Sequence, residues 1–400
     1  MQRAEYCSFS TQSSVLSDHY LPMSQRPRIQ HHHWVGVYTA DFTLDGVYAR
    51  CLRLAEVLVA SKWNCLVVHD TRFMGAQFAR YAYRVLESRG VQVSFCPTPA
   101  AFPAIELALE QRRADTALII SAGNLPFWYC GMIVLTPALG QPLLEDGPTV
   151  QPDMSAPIDL AAPALENTER NQFDLRGPYL EALRAAVDID LIRRATLTLF
   201  VDPMNGTTSG YIPAAIGEGG QTKAIEINRE LDPLFGRQSP QPSESGLNRL
   251  RKLVKESDSH LGVALSADGR AISVADSTGE LVTPLDLARL LASYLSRQHR
   301  QRGLIIGPLP PDGEPANLRA WADEAGLKVE LLADPTTRIA DLVAQDRTSL
   351  LVGATATGEL TLGRYGGSPD ATLAALLLIE MSARFGGKLR ALMDEAKGKT

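Results

Sequence analysis

The run Cys65-Leu66-Val67-Val68-His69-Asp70-Thr71-Arg72-Phe73-Met74-Gly75-Ala76-Gln77-Phe78-Ala79-Arg80 sets the fold class. Its first four residues are apolar without alternation, which reads as a strand covered on both faces. From Gly75 to Ser88 the apolar residues recur at helical spacing instead. Beyond lie a strand at Val91 to Cys96, a helix near Ile105 and a strand at Thr116 to Ile120. Upstream, an amphipathic helix covers Leu44 to Ala60. Strands alternating with helices imply parallel pairing and a sheet covered on both faces, an α/β fold.

A Pro- and Asp-rich stretch from about Pro137 to Pro163 interrupts the alternation and reads as a long surface loop. The pattern then resumes with strands at Leu197 to Val201 and Lys223 to Ile227, a helix near Leu247 to Val254 and a strand at Leu261 to Ala264. Ala271 to Val282 reads as a hairpin turned at Ser277-Thr278-Gly279. A third run has a helix from Pro284, strands at Gly303 to Ile306, Lys328 to Leu332 and Ser349 to Val352, and a helix through Leu373 to Met381. One α/β unit thus recurs about three times, with expected domains at residues 31–172, 173–278 and 279–400.

Composition agrees with several compact units. A chain of 400 residues that is 45% hydrophobic is too long for one core. The formal charge of -6 comes from interspersed acids and bases, so no footprint for nucleic acid or an anionic membrane is present. The scattered cysteines Cys7, Cys51, Cys65, Cys96 and Cys130 form no disulfide framework or zinc motif, which fits a reducing cytoplasm. The apolar run at Leu373 to Met381 is too short to span a membrane, and the first thirty residues lack a signal-peptide core. Those residues, 1–30, read as a disordered arm rich in Ser, Gln and Pro. His31, His32 and His33 are adjacent; three histidines could hold a metal, but consecutive residues rarely point their rings at one centre, so they read as a solvated strand end.

Several motifs in order then resemble one family. Trp34-Val35-Gly36 with Asp41-Phe42-Thr43, His69-Asp70-Thr71-Arg72-Phe73-Met74 with Phe78-Ala79-Arg80, and Val201-Asp202-Pro203-Met204-Asn205-Gly206 with Gly210-Tyr211 are similar to elements of bacterial phosphohexomutases. So are Asp232-Pro233-Leu234-Phe235-Gly236 with Pro240 and Pro242, and Gly279-Glu280 with Thr283-Pro284. The chain resembles the α-D-phosphohexomutase superfamily, that of phosphoglucomutase and phosphomannomutase, from about Trp34 to Leu392. The resemblance implies three consecutive phosphohexomutase-type α/β domains with mainly parallel sheets. The ending at Thr400 leaves the expectation that the family's fourth, phosphate-gripping domain is missing.

The resemblance also implies a chemistry: a phosphoserine gives its phosphoryl group to a sugar phosphate and takes another back, with magnesium bound nearby. Family loops for this read T-A-S-H-N-P, D-G-D-x-D-R and G-E-E-S-G. Here the first reads Ser121-Ala122-Gly123-Asn124-Leu125-Pro126, which puts Gly123 at the nucleophile position. Ser121 is the one displaced hydroxyl, and in-line transfer tolerates little displacement, since about 1 Å can cost roughly 10²-fold. The second reads Ser266-Ala267-Asp268-Gly269-Arg270-Ala271, so Asp268 is a vestigial metal ligand or simply a turn residue. Arg270 replaces a carboxylate; a guanidinium about 5 Å from a divalent ion repels it by roughly 6 kcal/mol at an effective dielectric near 20. The third reads Gly353-Ala354-Thr355-Ala356-Thr357-Gly358, without the sugar-binding glutamates. Val35 stands where the family has arginine.

The expected function is therefore a degenerate phosphohexomutase, a pseudoenzyme with a binding, assembly or regulatory role in sugar-phosphate metabolism. Arg72, Arg270, Thr355 and Thr357 are the candidates for holding a phosphorylated sugar or other anion, with an inter-domain ion pair as the structural role for Arg72. No cofactor is expected, magnesium only if the family activity survives. Phe127, Trp128 and Tyr129 suggest a partner, a mutase paralogue or a second copy, or else ordinary domain packing. The alternative is an active phosphoglucomutase or phosphomannomutase, an intramolecular phosphotransferase working through Ser121. A third possibility, new chemistry on the old fold, finds no support in His69, His260 and His299, which are scattered along the chain.

Overall fold

Strand β2 (Cys65–His69) forms where the apolar run lies, and all five of its residues are buried. In this computed structural model the described residues are 29–137, 144, 171–386, 389, 392 and 393. Nearly all of the expected arm and of the loop after Pro137 lies outside them.

The first sheet has the order β1-β5-β4-β2-β3, with β1 at Ile29–Val37, β3 at Val93–Phe95, β4 at Thr116–Ile120 and β5 at Tyr129–Pro137. β2 runs parallel to β3 and β4, whereas β5 is antiparallel to both β4 and β1. The sheet is thus mixed, and β5 was hidden in the sequence because its aromatic start reads as a surface patch. The expected arm also ends too late, since Ile29 and Gln30 already pair with Pro137 and Thr136. His31, His32 and His33 lie inside β1 rather than at its end, opposite Leu135, Val134 and Ile133.

Two four-stranded sheets follow. One has the order β7-β6-β8-β9, built from Lys223–Glu226, Thr198–Asp202, Leu261–Leu265 and Ile272–Asp276. The other has the order β11-β10-β12-β13, built from Lys328–Leu332, Leu304–Pro308, Leu350–Ala354 and Leu360–Thr361. In each, the last strand is antiparallel and the others are parallel. The hairpin expected over Ala271 to Val282 is corrected in part. β9 makes its ladder with β8, and the turn at Gly279, with φ of 82°, joins only an isolated bridge between Ala275 and Leu281.

The period of two along β2 and β4 sorts the core into two layers. Leu66, Val68 and Ile119 belong to a large cluster that continues through Leu199, Val263 and Leu351 of the later sheets. Val67, Leu118 and Ile120 face a separate cluster with Leu54, Leu58 and Leu86. The helix Ala371–Arg384 sits in the shared cluster, buried continuously from Ala371 to Ser382. A helix apolar all round belongs inside a large protein, which explains the apolar run at Leu373. Among the described residues no helix is long and apolar enough to cross a membrane. Further helices at Arg176–Ala186, Ile189–Arg194, Tyr211–Ile216, Leu318–Glu324 and Thr336–Asp346 complete the layers.

Candidate functional site

Parallel strands of an α/β sheet present ligands at their carboxyl ends. The segments that leave β2, β4, β8 and β12 there are residues 70–74, 121–128, 266–271 and 355–359. They carry every candidate named above.

Arg72 is 3% exposed and its five N–H donors all have protein partners. Nε donates to Asp70 Oδ2 at 3.1 Å, Nη1 to the carbonyls of Pro126 and Tyr129 at 2.9 Å, and Nη2 to those of Gly123 at 2.7 Å and Leu125 at 2.6 Å. The ion-pair partner expected from another domain is instead Asp70 of the same loop, and no donor is left for a ligand. Arg72 holds the 121–128 segment in shape.

Ser121 is 2% exposed. It donates to Asp70 Oδ2 at 2.6 Å and accepts the Gly123 N–H at 2.9 Å. Its hydroxyl is thus tied down beneath the loop. Gly123 has φ of 55°, and a Cβ added there would stand 3.3 Å from Arg270 Nη2 and 3.9 Å from Asp268 Oδ2. Asn124 is half-buried, and its Oδ1 has no hydrogen-bond partner among the described residues.

Asp268 is consumed locally. Oδ1 accepts from Ser266 Oγ at 2.6 Å and from the Arg270 N–H at 3.1 Å, while Oδ2 accepts from Arg270 Nε at 2.8 Å. Burial pushes its carboxyl up, but the Arg270 guanidinium and these hydrogen bonds outweigh that and hold it below the usual carboxylate range. Burial pulls Arg270 down in turn, and Asp268, with Glu359, more than restores it. The guanidinium lies 4.7 Å over the Phe102 ring. Thr355 and Thr357 share a hydrogen bond of 2.9 Å, and Thr355 Oγ1 also accepts the Glu359 N–H at 3.1 Å. Both hydroxyls thus serve the turn, with Thr357 exposed and Thr355 buried.

The sequence reading missed Glu359, and it read His33, which is exposed on β1, only as a solvated residue. Burial raises the Glu359 carboxyl above its ordinary value, with Arg270 opposing and Asp268 adding. Burial, then His31 and Arg270, lower His33. The position of Glu359 beside the Gly358 turn, where it bridges to Ala271, was the available signal.

Comparison with known proteins gives this arrangement its relatives. Residues 31–148 match the sequence model of phosphoglucomutase/phosphomannomutase, alpha/beta/alpha domain I, and residues 177–279 match that of domain II, together more than half of the chain. The chain belongs to the α-D-phosphohexomutase superfamily. Among phosphohexomutases, it is 26% identical over 337 residues to the phosphoglucomutase/phosphomannomutase of Thermococcus kodakarensis, covering 82% of this chain and 71% of that one. It is 28% identical to the phosphoglucosamine mutase of Chromohalobacter salexigens, covering 89% and 77%. In fold it is similar to a phosphoglucomutase/phosphomannomutase family protein of Burkholderia thailandensis, with a TM-score of 0.68, 19% identity and coverage of 92% and 78%.

The donor set of this chain does not suit the magnesium ion that the resemblance implies. Magnesium takes near-octahedral oxygen ligands. Here the one surviving carboxylate, Asp268, has both oxygens engaged, and the guanidinium beside it is a fixed positive charge. Among the described residues no group of three His, Cys, Asp or Glu side chains could hold a metal ion.

Proposed function

We propose that this member of the superfamily binds a phosphorylated sugar or a related anion in its cleft and does not transfer the phosphoryl group. One observation carries the reading: the Arg270 guanidinium stands 3.3 Å from where a side chain would begin on Gly123, the residue that the family resemblance sets at the nucleophile position. Phosphoryl transfer needs an acceptor atom and positive charge aligned on the moving group. The site keeps a cation, Arg270, and has no acceptor beside it. Ser121, the acceptor in the alternative reading, is buried against Asp70. The names of the relatives point to hexose and hexosamine phosphates as the class to test. A cytoplasmic setting belongs to the same proposal, in keeping with the buried free thiols of Cys51, Cys65, Cys96 and Cys130.

The role that follows is binding, assembly or regulation, with a mutase-like second chain as the partner. Phe73, Leu125 and Trp128 are exposed at 59%, 42% and 49%, an apolar rim on the loops around Gly123 that supports such a partner. Calorimetric titration with glucose 1-phosphate, glucose 6-phosphate, glucosamine 6-phosphate and mannose 6-phosphate, each with and without magnesium, tests the ligand half. Weak binding that ignores magnesium and falls at least tenfold in Arg270→Ala is expected, with no interconversion in a coupled assay. Interconversion at an ordinary enzymatic rate would sink the proposal.

A further inference from the structure

Strand β1 turns alternate residues to opposite layers. Trp34 packs against the separate cluster of the first sheet, whereas Ile29 packs against the cluster shared by all three sheets. His31 and His33 lie on the face of Ile29, paired with Leu135 and Ile133 of that shared cluster. The 266–271 segment reaches this face at Phe102, whose N–H donates to the Asp268 carbonyl at 2.9 Å. The Phe102 ring has the His31 ring at 5.9 Å on one side and the Arg270 guanidinium at 4.7 Å. His33 follows His31 along the strand at 6.1 Å between ring centres. Further along the same face Val35 borders Gly131, whose carbonyl accepts the Ser121 N–H at 3.0 Å. His33 is thus carried on the cleft side of β1, between His31 and the 121–128 segment.

Arg270 gives its Nε to Asp268 and turns Nη2 towards Gly123, and neither Nη1 nor Nη2 has a hydrogen-bond partner among the described residues. The His33 ring nitrogens have none among them either, and the residue is exposed. The charged groups that bear on His33 are His31 and His32 from β1 and Arg270 from the 266–271 segment, with no carboxylate among them. The carboxylates nearby are engaged elsewhere. Glu106 lies 3.5 Å from His31, Asp268 lies 2.8 Å from Arg270, and Glu359 acts on Arg270. An open imidazole beside a guanidinium with spare donors, and without an acid to answer it, is completed by an anion. We propose that His33 and Arg270 form one seat for a doubly charged phosphate group, which His33 binds as the imidazolium. The seat deepens the binding reading given above and rests on it.

The two cations do different work. Arg270 is charged at every working pH and offers a planar fork that suits two phosphate oxygens. The imidazolium adds a donor and a second positive charge, so a phosphate monoester dianion is matched and a singly charged phosphodiester is not. In the empty cleft, partial burial of the ring and then the charges of His31, Arg270 and His32 hold the imidazole below its ordinary value, so it is neutral at pH 7. A bound dianion reverses the local field, and a proton enters from solvent as the ligand binds. Affinity therefore rises as pH falls between the free and the bound values of the ring. The slope is up to about tenfold per pH unit for one proton taken up, and outside that interval the affinity is level.

The test uses the full chain with carbon-13-labelled histidine, whose ring signals read the binding. The probe is sodium sulfate, which stays doubly charged from pH 5 to pH 8, whereas a phosphate ester itself titrates near 6. Sodium chloride at the same ionic strength is the control. Saturable sulfate binding is expected, with a dissociation constant on the order of millimolar for so small a ligand, weakening as pH rises by up to about tenfold per unit. Arg270→Ala should weaken it at least tenfold at every pH. His33→Gln should abolish the slope, and His33→Lys, charged throughout, should bind at pH 8 without loss. If neither sulfate nor any sugar phosphate binds, the binding reading falls and the seat with it. If they bind with an affinity level in pH, or if the slope survives in His33→Gln, the assignment of His33 alone is overturned. An equal response to chloride overturns it as well. A level profile in the unmodified chain, or a slope retained in His33→Lys, decides even if His33→Gln does not fold.

Discussion

Arg270 Nη2 lies 3.3 Å from the point at which a side chain on residue 123 would begin, so glycine at 123 and arginine at 270 are complementary in shape. The guanidinium fills space beside the loop that a serine would share. Restoring the hydroxyl alone therefore does not restore a phosphoryl acceptor in working order. Gly123→Ser should lower stability by about 1 kcal/mol, because φ of 55° is left-handed backbone that disfavours a Cβ. It should show no added phosphate by intact mass and no hexose phosphate interconversion. Stoichiometric phosphorylation of the new serine, with turnover, would contradict the shape argument.

Arg72 gives a prediction of the opposite kind, on stability rather than chemistry. Its guanidinium ties Asp70 to four carbonyls between Gly123 and Tyr129 while almost wholly buried. Lysine supplies three donors from one point instead of five in a planar fork. Arg72→Lys keeps the charge but should leave at least two buried carbonyls unpaired, at about 1–3 kcal/mol for each. Urea unfolding of the unmodified chain and of Arg72→Lys at one pH measures it. A loss under 1 kcal/mol would show that the loop is held by other contacts.

These two residues show what was legible in the sequence. Gly123 and Arg270 were found by aligning loop against loop, because their neighbours keep the family spacing. The destination of Arg72 was not found, since its partners are carbonyls, which every residue carries and no sequence marks. Strands β2, β4 and β8 were readable because each is buried along its whole length. β5 was not, as it starts at Tyr129 of the aromatic run and ends at Pro137, where the composition already reads as a loop.

Gly358 is fixed both by its backbone conformation and by its surroundings. Its φ is 86°, and a Cβ there would meet the Ile272 carbonyl oxygen at 2.4 Å. Backbone strain and overpacking act together, so Gly358→Ala should cost about 2–4 kcal/mol. Gly326, with φ of 65° and nothing within 4 Å of an added Cβ, is the control. Gly326→Ala should cost about 1 kcal/mol. Equal losses at the two sites in chemical denaturation would refute a specific contact between the Gly358 turn and β9.

Asp370 sets a pH dependence. Burial pushes its carboxyl up to about 6, against the pull of the Leu373 N–H and the Tyr179 hydroxyl. Unfolded, it titrates near 3.9. Below about pH 4 the carboxyl is protonated in both states, and its favourable contribution is complete. As pH rises towards 6 the unfolded chain releases the proton while the folded chain keeps it, so stability falls and the loss is complete above the folded value. The side chain is part-exposed, which reduces the effect of a two-unit shift to about 1–2 kcal/mol. Asn keeps the acceptor that caps the helix Ala371–Arg384 but cannot ionise. Burial also raises Glu359, Glu380 and Asp202, so the total profile is a composite, and the difference between the chain and Asp370→Asn isolates the one group. Urea midpoints at pH 4, 5, 6 and 7 should show Asp370→Asn gaining on the unmodified chain across that interval. A difference that stays flat with pH would mean that Asp370 ionises normally in the folded protein.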